Sequence, residues 1–263
     1  MKDKIMYKVF IPGGNNTAFV MGTDYTLEQR GIINDRIMNA DSSIEQVGFL
    51  GDNNNPELVM AGGEFCGNAT RSAVFHYLDG KDGKMTLKVN EKDYIEAGVK
   101  NKMAWCEIPL IQNGNIVEKL EEGMYKVNMK GMTSIVISEE NAKKYLDNKE
   151  NIKEETMKLI EKLNLENSEA VGVMYLESVD NKLKINPVVW VKEINTLFYE
   201  TACGSGTTAT AIVKSYIEGN DVSVDILQPS GYVINATITG IKENKLRAVI
   251  SGVVLADNVE HFC

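Results

Sequence analysis

Apolar and polar positions change their period repeatedly along the chain. "IMYKVFIP" (5–12) and "TAFVMG" (17–22) read as strands about the turn "GGNN". "TLEQRGIINDRIMNA" (26–40) has helical spacing at Leu27, Ile32 or Ile33, and Ile37. Strands return at "EQVGFL" (45–50) and "ELVMA" (57–61), followed by a predicted helix at "NATRSAVFHYL" (68–78). Residues 85–111 alternate as a sheet meander with turns at "NEKD" (90–93) and "KNK" (100–102).

The second half runs in the same order. "TSIVIS" (133–138) is a strand, and "NAKKYLDN" (141–148) and "ETMKLIEKLNL" (155–165) are helices. "AVGVMYLE" (170–177) and "KINPVVWVKE" (184–193) are strands, then comes the helix "GTTATAIVKSYIE" (206–218). A last meander runs through "VSVDIL", "YVINATITG" and "LRAVISGVVL". The pattern predicts an α+β fold made by internal duplication, with a boundary near the polar stretch "NGNIVEKLEEG" (113–123). We expect an N-terminal domain over 1–120 and a C-terminal domain over 121–249, with the last strand, about 250–263, returning to the first.

Composition narrows the classes. Apolar residues make up 43% and charged residues 25% of 263, which suits a globular protein with a real core. A net charge of −9 without a Lys/Arg cluster argues against a nucleic-acid partner. No apolar run reaches a membrane span, and the N-terminal residues lack a signal-peptide pattern, so no membrane partner and a cytoplasmic location are expected. Four cysteines without close spacing, and two histidines, fit neither a disulfide scaffold nor a metal centre.

Two cysteines stand out, in "GGEFCGNATR" (62–71) and "ETACGSGTTA" (200–209). Each is followed by glycine and by the predicted start of a helix of small residues. A helix N-terminus presents N–H groups and positive potential, which bind carboxylates and should lower a thiol's pKa toward neutrality. Two such mouths facing one another could grip one carboxylate while the sulfurs of Cys66 and Cys203 flank the adjacent carbon. A thiolate on one face removes a proton and a thiol on the other returns one. A single cysteine of this kind would be an ordinary inert core residue; two in corresponding positions of two halves point to paired acid–base chemistry. A thiol hydrolase needs a histidine partner, and His76 sits within the helix after Cys66, where packing explains it. "GSGTT" lacks the lysine and spacing of a nucleotide loop.

The pair "CGNATR" and "ETACGSGTTA" resembles the two signatures of diaminopimelate epimerase and its relatives, the cofactor-independent amino-acid racemases. "PGGNNTAF" is similar to that family's N-terminal Gly-Asn segment, and "EQVGF" to its glutamine segment at Gln46. The resemblance covers essentially the whole chain. It implies two pseudo-symmetric domains, each a mostly antiparallel sheet wrapped around a central helix, an isomerase activity without a cofactor, and Cys66 and Cys203 as the two bases. It also implies that N–H groups of Gly67, Asn68, Gly204 and Ser205 hold an α-carboxylate, and that Asn15 or Asn16, with Glu193, lies near the amino group. A homodimer is compatible with it.

The chain departs from the family at the groups that read the far end of diaminopimelate. Met60 stands for an asparagine, Met132-Thr133-Ser134 for part of a Gly-Asn-Pro-His motif, Gly172 for another asparagine, and Glu193-Ile194 for a Glu-Arg pair. Without that arginine and those amides a second carboxylate is poorly paired. Met60, Met132, Ile194 and Trp190 or Phe198 suggest a pocket for a less charged, flat side chain instead. Among relatives the chain looks most like the histidine racemases. Diaminopimelate epimerase with an unusual pocket, a phenazine-type isomerase and a silent amino-acid-binding protein are the competing readings.

Overall fold

A computed structural model describes residues 4–90, 93–111, 115–243 and 245–263. The chain divides into two compact units, Met1–Cys106 with Ser251–Cys263, and Glu107–Ile250. In chain order the first holds β1 (Met6–Ile11), β2 (Thr17–Met21), α1 (Leu27–Ala40), β3 (Gln46–Leu50), β4 (Glu57–Met60), α2 (Gly67–Tyr77), β5 (Gly83–Val89), β6 (Asp93–Lys100) and β7 (Met103–Ile108). The second holds β8 (Val117–Glu121), β9 (Met124–Met129), β10 (Met132–Ile137), α3 (Glu139–Leu146), α4 (Ile152–Lys162), β11 (Ala170–Val179), β12 (Lys182–Val191), β13 (Thr196–Tyr199), α5 (Gly204–Glu218), β14 (Val222–Leu227), β15 (Val233–Thr239) and β16 (Arg247–Val253). The divisions fall within β7 and β16. Strand β17 (Leu255–Phe262) belongs to the first unit, where it pairs antiparallel with β1.

The two units share one sequence of pairings. In the first, β1–β2 is antiparallel, β2–β3 parallel across α1, β3–β4 antiparallel, β4–β5 parallel across α2, and β5–β6 antiparallel. In the second, β9–β10 is antiparallel, β10–β11 parallel across α3 and α4, β11–β12 antiparallel, β12–β14 parallel across α5, and β14–β15 antiparallel. Helices α2 and α5 thus close the same crossover in each unit. Parallel neighbours require such a crossover, so a repeated strand pattern carries a repeated helix position with it.

Both faces of each central sheet are covered, which is why the strands read as apolar runs. In the first unit Val9, Ala18, Val20, Val47, Phe49 and Val59 pack with Ile33 and Ile37 of α1. In the second, Ile135, Ile137, Val171, Val173, Val188 and Trp190 pack with Ala142 of α3 and Leu159 and Ile160 of α4. Helix α5 packs on β10, β11, β14 and β15, and α2 on β5 and β6. Their first turns are buried almost all round, which needs the small residues that the sequence supplies. Buried threonines satisfy themselves by donating to carbonyls one turn back: Thr70 to Cys66, Thr208 to Gly204 and Thr210 to Gly206.

Local signals acted where expected. Thr26 and Gln29 form a capping box at the start of α1. Asn101 (φ 52°) and Lys102 (φ 64°) form the two-residue turn of the β6–β7 hairpin inside "KNK". The turn expected at 90–93 includes residues 91 and 92, and the expected boundary at 113–123 begins with 113 and 114; these lie outside the described residues. Within the rest of that stretch, 117–121 form β8 against β9. Among the described residues no helix is long and apolar enough to cross a membrane.

Candidate active site

Cys66 is the N-cap of α2, with extended backbone at φ −125° and ψ 113°. Its sulfur takes the place of a capping oxygen and accepts the N–H of Ala69 at 3.4 Å. Gly67 and Asn68 follow as the first helical residues, where N–H groups have no intrahelical acceptor. The Cys66 thiol donates to Gln46 Oε1 at 3.0 Å.

Gln46 belongs to a polar cluster in the same unit, half-buried itself and backed by the buried Asn15, Thr17, Asn68 and Arg71. Its Nε2 donates to Asn15 Oδ1 at 2.6 Å and to Thr17 Oγ1 at 2.7 Å. Asn68 Nδ2 donates to the same Asn15 oxygen at 3.2 Å, and Asn15 Nδ2 donates to Glu45 Oε2 at 2.8 Å. Arg71, one turn along α2 and fully buried, donates from Nη2 to Asn68 Oδ1 at 2.8 Å. Burial is the main cause that lowers the guanidinium's pKa to about 10, with Cys106 and Cys66 acting in the opposite sense.

Cys203 repeats the arrangement in the other unit. It is the N-cap of α5 at φ −133° and ψ 110°, and its sulfur accepts the N–H of Gly206 at 3.3 Å. Gly204 and Ser205 open the helix, and Ser205 Oγ lies 3.4 Å from the sulfur. Gln228 Oε1 accepts the Cys203 N–H at 3.0 Å, while Gln228 Nε2 donates to Thr207 Oγ1 at 3.0 Å. A Cβ at Gly206 would overlap Met174 Sδ and come within 3.2 Å of the Cys203 sulfur, so a side chain there must displace Met174.

The helix mouth does not lower the Cys203 thiol as expected. Burial, followed by the neighbouring Glu200, pushes it well above its ordinary value, and the bonds from Ser205 and Gly206 only partly oppose this. Desolvation disfavours a thiolate more than a few N–H dipoles favour it. Cys203 is therefore a thiol at neutral pH.

Most of the expected residues come together in these two clusters: Cys66, Gly67, Asn68, Asn15 and Gln46 in one, Cys203, Gly204 and Ser205 in the other. Asn16 joins the first through its carbonyl, which accepts the Glu45 N–H at 3.0 Å; it is Asn15 whose side chain enters the network. Glu193 is not brought in. It sits exposed in the turn between β12 and β13, and the four residues of β13 put roughly 13 Å of strand between that turn and the approach to Cys203. The carboxylate beside Cys203 is Glu200 instead, which stood in the quoted motif three residues ahead of the cysteine.

The expected pocket residues separate as well. Trp190 belongs to the core under α3 and α4, and Met60 is fully buried in β4. Phe198 and Ile194 are half-buried, Phe198 beneath the Lys153 ammonium at 5.4 Å. Met132 lies against Gly172, where its methyl and that of Met174 fill the space, and it is Met174 that reaches Gly206 in the Cys203 helix. His76 packs near the end of α2 against Phe10 and Tyr77, about 15 Å along the helix from Cys66, so it is no partner for that thiol. Cys106 is buried and donates to the Gly67 carbonyl at 3.6 Å. Cys263 is half-buried, its backbone bonded to Ile5 and to Arg36. Among the described residues, no three His, Cys, Asp or Glu side chains gather as a metal site.

Comparison with known proteins identifies the family and the fold. Residues 4–257 match the family model of the histidine racemase CntK N-terminal domain. A histidine racemase of Fusobacterium nucleatum is 31% identical over 236 residues, covering 84% of each chain. One of Staphylococcus aureus is 27% identical over 248 residues, covering 88% of this chain and 87% of its own. Among solved structures, a predicted epimerase from Pseudomonas aeruginosa superposes with a TM-score of 0.62 at 11% identity, covering 99% of both chains. A hydroxyproline epimerase from Agrobacterium vitis, with trans-4-OH-L-proline bound, gives 0.60 at 10% identity, covering 100% of this chain and 91% of that one. The two superpositions establish that the chain shares the fold of these epimerases. The chain belongs to the histidine racemase family.

Proposed function

We infer that this chain is an isomerase that interconverts L- and D-histidine by proton transfer at the α-carbon, with Cys66 and Cys203 as the two acid–base groups and no cofactor. The observation that carries the chemistry is the repeated N-cap cysteine, with one backbone conformation and one S···H–N bond, at the same crossover of two duplicated units. The substrate is taken from the relatives named above. The substituted far-end positions, with Met174 against Gly206 beside Cys203, agree with a side chain lacking a second carboxylate.

In this reading the first-turn N–H groups of Gly67, Asn68, Gly204 and Ser205 hold the α-carboxylate and stabilise the charge that builds as the α-carbon loses its proton. Glu200 receives the α-ammonium. The active enzyme carries one thiolate and one thiol, so the protons titrate as a pair. Cys203, held protonated by burial and Glu200, enters as the acid, and Cys66 enters as the base. Once the ammonium neutralises Glu200, Cys203 can ionise and the reverse direction opens. Both sulfurs must stay reduced, which a cytoplasmic location provides.

The test is incubation of the purified, reduced protein with L-histidine and no added cofactor, followed by chiral chromatography. D-histidine should accumulate toward an equal mixture. If no D-histidine forms while D-isomers of other amino acids do, the substrate assignment fails; if none forms from any, the isomerase reading fails.

A further inference from the structure

We propose that Glu45 and Arg71 are positioning residues that lock the Gln46 side-chain amide with its carbonyl toward Cys66. This rests on the base role given to Cys66 above. A guanidinium can only donate and a carboxylate can only accept, so the two ends of the network fix every amide between them. Arg71 Nη2 compels Asn68 to present Oδ1, at 2.8 Å, which turns Asn68 Nδ2 toward Asn15. Glu45 compels Asn15 to present Nδ2, at 2.8 Å, which leaves Asn15 Oδ1 facing both Asn68 and Gln46. Gln46 must then present Nε2 to Asn15, and only its Oε1 remains for the thiol. Thr17 adds a third constraint, because its hydroxyl proton goes to the Asn15 carbonyl at 3.2 Å and its lone pairs face Gln46 Nε2.

The direction of that amide matters for the chemistry. A carbonyl oxygen at 3.0 Å holds the proton of the Cys66 thiol but offers nothing to its thiolate. A flipped amide would donate N–H to the sulfur, favour the ionised form and weaken it as a base. An α-proton is a poor acid, so a base stabilised in this way takes it more slowly. The lock therefore keeps Cys66 basic and catches the proton once transferred. Arg71 is the cation that makes one end donor-only. It is fully buried, and among the described residues its Nε and Nη1 have no hydrogen-bond partner, so its polar contacts are the Nη2 bonds to Asn68 and to the Pro12 carbonyl at 3.3 Å.

A double-mutant cycle tests this, read as the pH midpoint of Cys66 alkylation by iodoacetamide, followed by mass spectrometry in the Cys203→Ser protein. Glu45→Gln combined with Asn68→Ala releases both fixed ends of the network and should lower the midpoint by about one pH unit, whereas Glu45→Asp alone should hold it near the parent value. In the Gln46→Met background the same pair of changes should no longer move it, because no amide is left to flip. An equal change in both backgrounds would mean that Glu45 acts only as a charge, and no change in either would mean no lock; each result overturns the proposal. Melting curves confirm that each variant is folded. Alkylation needs no turnover, so the result stands apart from whether histidine is racemised. With Cys203 intact, the same pair of changes should move the acidic limb of the kcat/KM pH profile down by about one pH unit.

Discussion

Cys66 and Cys203 adopt the same local geometry. Their φ and ψ angles differ by 8° and 3°, as −125° and 113° against −133° and 110°, and each sulfur accepts the N–H three residues on. Their surroundings are not the same. Cys66 faces an amide carbonyl held by a polar network, whereas Cys203 is buried beside a carboxylate. Equal placement with unequal environment suits the proposed pair, one taking a proton from the α-carbon and the other delivering one to it.

Replacing either cysteine by serine should reduce racemisation by about 10²–10⁴-fold in both directions, the usual contribution of general acid–base catalysis. Histidine binding, followed by titration calorimetry, should persist in both variants, since the carboxylate is held by backbone N–H groups. Loss of binding together with activity would point to a structural role for the thiols.

Glu200→Gln should make Cys203 easier to ionise. Its thiol is raised first by burial and then by Glu200, so removing that negative charge stabilises the thiolate and moves the titration to lower pH. At a fixed pH below the midpoint, the thiolate fraction and hence the rate of Cys203 alkylation should rise about tenfold for a midpoint lowered by about one pH unit. Racemisation should nevertheless fall through a higher KM, because the ammonium loses its partner. An unchanged alkylation profile would remove Glu200 from the account.

Gly206→Ala should cost about 1–3 kcal/mol of stability, because the new methyl meets Met174 Sδ and presses on Cys203 Sγ. Thermal unfolding measures it, and adding Met174→Ala should recover part of the loss if the clash is with that side chain.

Trp190→Ala should destabilise by about 3–5 kcal/mol, as expected for a large core side chain in the second unit. Its preference among amino acids should stay as in the parent, in contrast to what a pocket wall would do.

Sequence periodicity located the strands, the helices and the two cysteine mouths because those depend on local spacing and small residues. It passed over β8, since "VEKLE" is mostly exposed and reads as a polar linker. It passed over β13, whose four residues are half-buried and carry no clear alternation. Glu193 was favoured by alignment with a family pair, but the β12–β13 hairpin carries it away and leaves Glu200 beside the thiol. The Glu45-to-Arg71 network had no local signal, because it joins residues from three separate stretches whose direction becomes visible only when both charged ends are placed. Burial of Cys203 was equally invisible, and it reverses the pKa change that a helix mouth alone suggests.

The most direct measurement is proton NMR in deuterated water under reducing conditions, following the α-proton of L-histidine and, separately, of D-histidine, in the parent and both Cys→Ser proteins. The account predicts wash-out from both enantiomers in the parent, with the opposite isomer growing in deuterated form, and loss of that interconversion in each variant. Full interconversion in either Cys66→Ser or Cys203→Ser would contradict it.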